Sequence, residues 1–436
     1  MAQQNQEEIK RLVKYYKKIY HIIAAVVLII GVILLPIIPF IVGEVSVSDD
    51  VRWLFFIYLL STVASYLLTY KRSVLYADQK NYITIIIDTI FVVLRIITQI
   101  FVIYILKSFA IYLVVQLIFT ILENLFINFV VNRKYTYVKD LANVEDISKD
   151  LKEDIKTKVK GLLFHKIGTF VVLGTDNIII SMTKGLGVVT VGLYTNYNMI
   201  IGQVKNLFSN IINSLTASIG NLLLEDDKQK AREIYKSILL LDSWIFCFAA
   251  VSIYCLIEPF VAIWIGEEYI LSRFVLIVLV LNLYIQGMRY ASSVFKEAAG
   301  IFYEDRFIPL IESFINLVAS LILVRVFGLA GVFLGTIIST SILFLYSYPK
   351  FVYKNVLHGE YKEYFKLHIF HFGVSFVICI ITVCISNLIN VTNPWLKLVL
   401  NGILCLVVPN ILYFLIALRM QEFEIYKNKF RIFIKK

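Results

Sequence analysis

Twelve stretches of this 436-residue chain stay apolar for about twenty residues or more, and that length limits the fold more than any other feature. They cover 20–42, 51–70, 82–106, 109–131, 161–182, 186–210, 237–262, 270–292, 306–326, 329–349, 367–389 and 395–418. A hydrocarbon core of ~30 Å is crossed by about twenty helical residues at 1.5 Å each. The runs are continuous and do not alternate in polarity, which points to helices and away from a barrel. Hydrophobic residues make up 59% of the chain and charged ones 17%. A soluble domain is roughly 45–50% apolar and could not cover such a surface with polar groups. The fold class expected is therefore an all-α integral membrane protein of about twelve transmembrane helices. Residues 1–19 are polar and basic, and the apolar run behind them is too long for a signal peptide, so it reads as a first transmembrane helix.

The net charge of +11 has its origin in the connections between the runs. With the N-terminus placed in the cytoplasm, inside segments hold 33 Lys and Arg, outside loops hold 6, and Arg95, Lys166 and Lys205 fall within spans. That asymmetry obeys the positive-inside rule and puts both termini in the cytoplasm. It also removes the reason to invoke nucleic acid. The longest inside connection, 132–160, carries Leu141, Val144, Ile147, Leu151, Ile155 and Val159 at helical spacing among charges. It is expected as an amphipathic helix on the membrane face, linking an N-terminal lobe (1–131) to a six-helix lobe (161–350). Two additional helices and a basic cytoplasmic tail follow (351–436). A weak repeat, G-L-x-x-V-x-x-G, starts at Gly185 and again at Gly328, each at a turn into the next helix.

Charged and amide side chains inside the runs fall into stripes. Charges at membrane depth cost ~2.5–3.5 kcal/mol each on insertion scales, so they face water or a partner. In the third run Asp88, Arg95 and Gln99 share one narrow strip; in the fourth Gln116, Thr120 and Glu123 do. His165, Thr169 and Asp176 line up in the fifth, with Lys166 and Asn177 beside them. The sixth repeats amides at Asn196, Gln203, Asn206, Asn210 and Asn213, next to Lys205. The eighth carries Asn282, Gln286, Arg289, Ser293 and Lys296, and the ninth Glu312, Asn316 and Ser320. Any single stripe is explained as well by hydrogen bonding between helices. Six of them across two halves point to two bundles around a hydrated central cavity. Its candidate substrate-binding bases are Arg95, Lys166, Lys205 and Arg289; its candidate coupling or cavity acids are Asp88, Asp176 and Glu312. Gln99, Glu123, Asn196, Gln203, Asn282, Gln286 and Asn316 complete its polar lining. Guanidinium forks and ammonium groups suit phosphate oxygens, so an anionic amphiphile such as a lipid-linked phosphate fits this set.

Missing chemistry narrows the class further. There is no phosphate-binding P-loop, no nucleophile elbow and no H-E-x-x-H motif. The five cysteines lie in apolar runs without C-x-x-C spacing, and behave as small buried hydrophobes. Neither an enzyme nor a metal or cofactor protein is indicated, and a secondary transporter is.

The segments GTDNIIIS (174–181), GVVTVGLYTNYNMI (187–200), EAAGIFYEDRFIPLIESFINLVASLILVRVFGLAGVFLGTIIS (297–339) and YPKFVYKNVL (348–357) resemble the Wzx-type polysaccharide flippases. These belong to the superfamily that also contains MATE drug exporters and lipid II flippases. The resemblance implies a bacterial cytoplasmic-membrane carrier for undecaprenyl-diphosphate-linked oligosaccharide repeat units, working by alternating access. It implies as partners the polyprenyl-diphosphate oligosaccharide, membrane lipid, and the polysaccharide polymerase and glycosyltransferases of the same pathway. Asp176, in the GTDN segment, is the acid it carries over. Such relatives usually begin with a helix hairpin whose turn resembles L-G-x-x-x-Y-G, ahead of a basic segment like that at 5–19. Here the chain starts at the basic segment, so its spans correspond to helices three to fourteen of a fourteen-helix relative. Two further functions remain open at this stage: a cation-coupled small-molecule exporter of the MATE type, and a sugar polymerase or ligase at the outer surface.

Overall fold

The structure, a computed structural model, describes residues 6–42, 50–78, 80–141, 144–225, 227–302, 304–389, 391, 393–424 and 426–427, with the side chains of 81, 154, 157–158 and 160–173 left aside. Among the described residues there is no strand, and eleven helices are long and apolar enough to cross a membrane. Helices are what a bilayer demands, because each backbone N–H and C=O then finds its partner within the segment. The protein is an integral, multi-pass membrane protein. The chain divides into two compact units, Met1–Lys158 and Val159–Lys436.

The first unit holds α1 (Gln6–Leu34), α2 (Ile38–Val42), α3 (Val51–Leu67), α4 (Arg72–Ala77), α5 (Asn81–Leu106) and α6 (Phe109–Lys134). Local chemistry sets several starts. Asp50 accepts from the backbone N–H of Arg52 (2.9 Å) at the head of α3, and Ser108 from that of Ile111 (3.3 Å) at the head of α6. The span that begins with α3 continues through a 3-10 turn at Thr69–Lys71 into α4, so it extends to Ala77. The sequence reading ended it at 70 and counted Lys71 and Arg72 as loop charges. Helix α7 (Lys149–Met182) is one continuous helix of 34 residues. Residues 149–160, expected within a separate surface helix, are its first turns, and the run at 161–182 is its second half.

The second unit continues with α8 (Gly187–Asn213), α9 (Thr216–Leu224), α10 (Lys228–Trp264), α11 (Arg273–Gly287), α12 (Tyr290–Ala298), α13 (Ile308–Phe327), α14 (Leu329–Ile342), α15 (Tyr361–Leu388) and α16 (Pro394–Ala417). Helix α10 is its pillar. Tyr235, Leu239, Phe246, Cys247 and Val261 are fully buried along it, as expected of a helix that is apolar on every face. Against it, α15 and α16 are fastened by a buried polar cluster. Tyr413 donates to Ser243 Oγ (2.7 Å), Tyr284 to Ser375 Oγ (2.9 Å), and the Trp244 ring stacks on Tyr413 at 5.4 Å.

Three spans of this unit are broken. The α8–α9 break falls at Ser214–Leu215 and the α11–α12 break at Met288–Arg289. After α14 the chain winds as a π-helix over Leu343–Lys354, with Pro349 inside it, where the ring removes one N–H from the ladder. The α11–α12 break has two local causes. A Cβ at Gly287 would lie 2.1 Å from the Phe246 ring, so only glycine lets α11 come so close to α10. Asp242, fully buried on α10, then accepts from the backbone N–H of Ala291 (2.9 Å) and caps the new helix start.

Helices α13 and α14 form a tight hairpin. A Cβ at Gly331 would stand 2.1 Å from the Leu323 carbonyl oxygen, and one at Gly335 would stand 2.3 Å from Ser320 Oγ. Small residues thus let the two backbones nearly touch. The repeated G-L-x-x-V-x-x-G pattern reflects a shared turn: Gly185 and Gly328 both have positive φ, at 90° and 55°. The likeness ends there, since Gly192 has nothing within 4 Å of its Cβ position whereas Gly335 is pressed against Ser320.

Candidate substrate and coupling sites

Two polar clusters lie in the second unit. The first gathers at the α11–α12 break. Lys205 of α8 donates to Gln286 Oε1, and Gln286 Nε2 donates to Asn282 Oδ1 at 3.0 Å. One turn on, Arg289 Nε donates to the Tyr348 hydroxyl (3.4 Å), while its Nη1 is 3.6 Å from Glu312 Oε1. The Arg289 side chain is 30% exposed and that of Glu312 11%. Arg289 thus has a carboxylate in reach, while Lys205 is held by a neutral amide oxygen. Guanidinium has five N–H donors, and two of its nitrogens are engaged here, so donors remain for an anion. Ser293 also reaches the Tyr348 hydroxyl (3.2 Å), and Lys296, at the end of the strip, pairs with buried Asp305.

The amides of α8 lie on a different side of that helix from Lys205, which turns towards Gln286 on α11. Gln203, Asn206, Asn210 and Asn213 are exposed on the unit, Asn196 is half-buried, and none of the five bonds to another described side chain through its amide. Five free amides along a membrane-spanning helix are costly against acyl chains, because nothing there replaces their hydrogen bonds to water. This face therefore meets water or another polar surface.

The second cluster is the seam of the α13–α14 hairpin with α7. Glu312, Asn316 and Ser320 on α13 meet Thr340, Thr336 and the Val332 carbonyl on α14, rung by rung. Thr340 donates to Glu312 (3.3 Å), Asn316 Nδ2 to Thr336 Oγ1 (3.1 Å), and Ser320 to Val332 O (3.0 Å). Asp176 enters at the middle rung, where Thr336 Oγ1 donates to its Oδ2 at 3.4 Å. Asp176 Oδ1 and Asn316 Oδ1 are buried without a hydrogen-bond partner among the described residues. Such orphaned oxygens are unusual in a folded protein and call for a proton or a cation. The partners Thr336 and Thr340, one turn apart in GTIIST, were the sequence signal for this seam that the stripe reading passed over.

The first unit treats its polar residues differently. Arg72 of α4 binds both Asp88 of α5 (2.8 Å) and Glu123 of α6 (2.5 Å). Gln99 is buried and donates to the Tyr112 carbonyl at 3.3 Å. Ser61 and Thr120 meet at 3.4 Å, and Asn124 donates to the Ala64 carbonyl at 3.4 Å. These stripes tie the helices of the unit together. Asp88 and Glu123, read from sequence as cavity groups, are consumed by a guanidinium that sequence had assigned to a loop. Arg95 is half-buried and makes no hydrogen bond or ion pair with a described residue. The side chains of His165, Lys166 and Thr169 lie outside the described residues. Among the described residues, no three His, Cys, Asp or Glu side chains gather as a metal site.

The fold, a set of membrane-spanning helices of which three in the second unit are broken, is shared with a solved membrane protein. A solved structure of lipid II flippase MurJ, in an inward closed conformation, superposes with a TM-score of 0.67 over 93% of this chain and 83% of that one, at 16% identity. No protein-family model matches the sequence, and no curated protein matches it.

Proposed function

We propose that the protein is a secondary transporter that flips an undecaprenyl-diphosphate-linked oligosaccharide repeat unit across a bacterial cytoplasmic membrane by alternating access. The observation carrying this reading is the gathering of Lys205 and Arg289 with Gln286 and Asn282 at the α11–α12 break, inside membrane-spanning helices. Cations with spare donors hold a diphosphate, and the exposed amides on another side of α8 offer the hydrogen bonds that sugar hydroxyls exchange with water. Arg95 and Lys166 are the further bases, and Asn282, Gln286 and Asn196 the further lining groups. The likeness in fold to a lipid II flippase supports a lipid-linked substrate over a small drug, and the two bases against one acid disfavour a cationic cargo. Both termini lie in the cytoplasm on this reading.

Coupling is assigned to the seam. The unpartnered oxygens of Asp176 and Asn316, with the Thr336 hydroxyl between them, take up a proton or monovalent cation in one state and release it in the other. A charge moved across the membrane yields ~2.3 kcal/mol per 100 mV. The test is flipping of a fluorescent polyprenyl-diphosphate oligosaccharide in proteoliposomes under an imposed potential. Wild-type protein should flip it, and Asp176→Asn should bind it equally well while losing the dependence of rate on the gradient. Efflux of a cationic dye without flipping would replace this reading with the exporter.

A further inference from the structure

The first unit carries a second cationic site, distinct from the residues assigned above. A cavity of about 700 Å³ opens between α1, the turn at Thr69–Lys71 and the segment after α6, within the ~300–1,000 Å³ of small-ligand sites. Five lysines line it: Lys14, Lys17, Lys18, Lys71 and Lys139, against the single acid Asp140. Lys14 is partly neutralised, lying 3.5 Å from Asp146. Lys17, Lys18 and Lys139 make no hydrogen bond or ion pair with a described residue.

Lys71 is the decisive member. It is 4% exposed, and its ammonium donates at 2.6 Å to the neutral amide oxygen of Asn132, with no carboxylate paired to it among the described residues. A buried charge without a counter-ion is strongly unfavourable, and an anion in the cavity would remove that penalty. The geometry along α1 says what kind of anion. Lys14, Lys17, Lys18 and His21 follow at i, i+3, i+4 and i+7, one face of the helix. On that same face, one and two turns further, the lining becomes Ile22 and Ala25. Cationic groups therefore give way to apolar ones along the helix, and Tyr70 stands at the same cavity, at the level where aromatic rings mark the membrane boundary. A ligand matching this order has phosphate at one end and hydrocarbon at the other.

We propose that this cavity binds the phosphate headgroup of an anionic phospholipid, with Lys17, Lys18, Lys71 and Lys139 on the phosphate and Ile22 and Ala25 against the start of the acyl chains. Basic pockets between transmembrane helices are suited to such headgroups. The site is separate from Lys205 and Arg289, and its test reads binding alone, so its failure leaves the transport reading standing and the reverse.

The experiment follows thermal melting of the full chain in neutral detergent. It is titrated with dioctanoyl phosphatidylglycerol, dioctanoyl phosphatidylcholine or inorganic pyrophosphate. Phosphatidylglycerol should stabilise the wild type at concentrations at least about tenfold below phosphatidylcholine, and less so as salt rises. The triple variant Lys17→Gln, Lys18→Gln, Lys139→Gln should weaken that binding by roughly a hundredfold. A control triple at exposed lysines of the second unit, Lys354→Gln, Lys362→Gln, Lys366→Gln, should leave it unchanged. Equal response to the two lipids, an unaffected triple variant, or an equal loss in the control would each overturn the proposal. Pyrophosphate stabilising at the same concentration as phosphatidylglycerol would overturn the lipid and assign the cavity to a soluble diphosphate.

Discussion

Arg289→Ala is expected to reduce binding and flipping of a lipid-linked diphosphate by about ten- to a hundredfold while the protein remains inserted and folded. The magnitude follows from hydrogen bonds to a charged group, worth about 1.5–3 kcal/mol each net, at 1.4 kcal/mol per tenfold. Substrate binding to the purified chain and flipping in proteoliposomes give the two readings. Because Arg289 also touches Glu312 at 3.6 Å, a loss in the single variant has two explanations: a missing phosphate donor, or an unpaired carboxylate. The double variant Arg289→Ala, Glu312→Gln separates them. If the base acts on substrate, the double variant stays as impaired as the single. If flipping returns, Arg289 served to neutralise Glu312, and the cationic-site mechanism is wrong. Arg289→Lys should recover part of the activity, since it keeps the charge and loses the planar fork.

Arg72→Ala is expected to destabilise the first unit by about 3–5 kcal/mol, the cost of removing one member of a buried ion pair. It strands Asp88 and Glu123, which approach from different helices and share Arg72 as their cation among the described residues. The Glu123 side chain is 17% exposed and that of Asp88 36%, so water can hydrate Asp88 and the stranded Glu123 carries most of the cost. Thermal melting in detergent should fall by several degrees. Adding Asp88→Asn and Glu123→Gln should restore most of the difference, because the neutral amides carry a far smaller desolvation cost. An unchanged melting temperature in Arg72→Ala would show the triad to be solvated and the helices of this unit to be held by other contacts.

Much of the fold was legible in the sequence because lipid leaves so few choices. Long continuous apolar runs must become helices, and eleven of the twelve expected runs fall in helices long and apolar enough to cross a membrane among the described residues, the run at 161–182 being the second half of α7. The borders failed where a helix does not stop at its last apolar residue. The second span runs on through a 3-10 turn, so Arg72, at membrane depth, looked like a loop charge. The 149–160 segment looked like a surface helix because its charges break the apolar pattern, yet backbone hydrogen bonding carries α7 straight through it. The breaks were invisible for another reason: a glycine at 287 and a proline at 349 are each tolerated in membrane helices, and only the approach of Phe246 and the winding after α14 give them meaning.

The polar stripes were legible as stripes, with their consequence undecided. In the first unit, Asp88, Gln99 and Glu123 turn inward and bond to neighbours. On α8 of the second unit, Gln203 and the asparagines after it remain unbonded and exposed. Helical spacing is the same in both cases. Asp242 gave no signal at all, since a lone acid in an apolar run shows its purpose only when the start of α12 is brought against it.

What the sequence determined by itself was the membrane, the helices and the angular position of each polar group on its own helix. These are local properties, fixed by periodicity and by the absence of water in the bilayer. Only the tertiary structure decided which polar groups neutralise one another and which keep free donors or acceptors. That depends on short contacts between residues far apart in the chain, such as Asp176 and Thr336 at 3.4 Å or Arg72 and Glu123 at 2.5 Å. Periodicity along one helix carries no information about the face its neighbour presents.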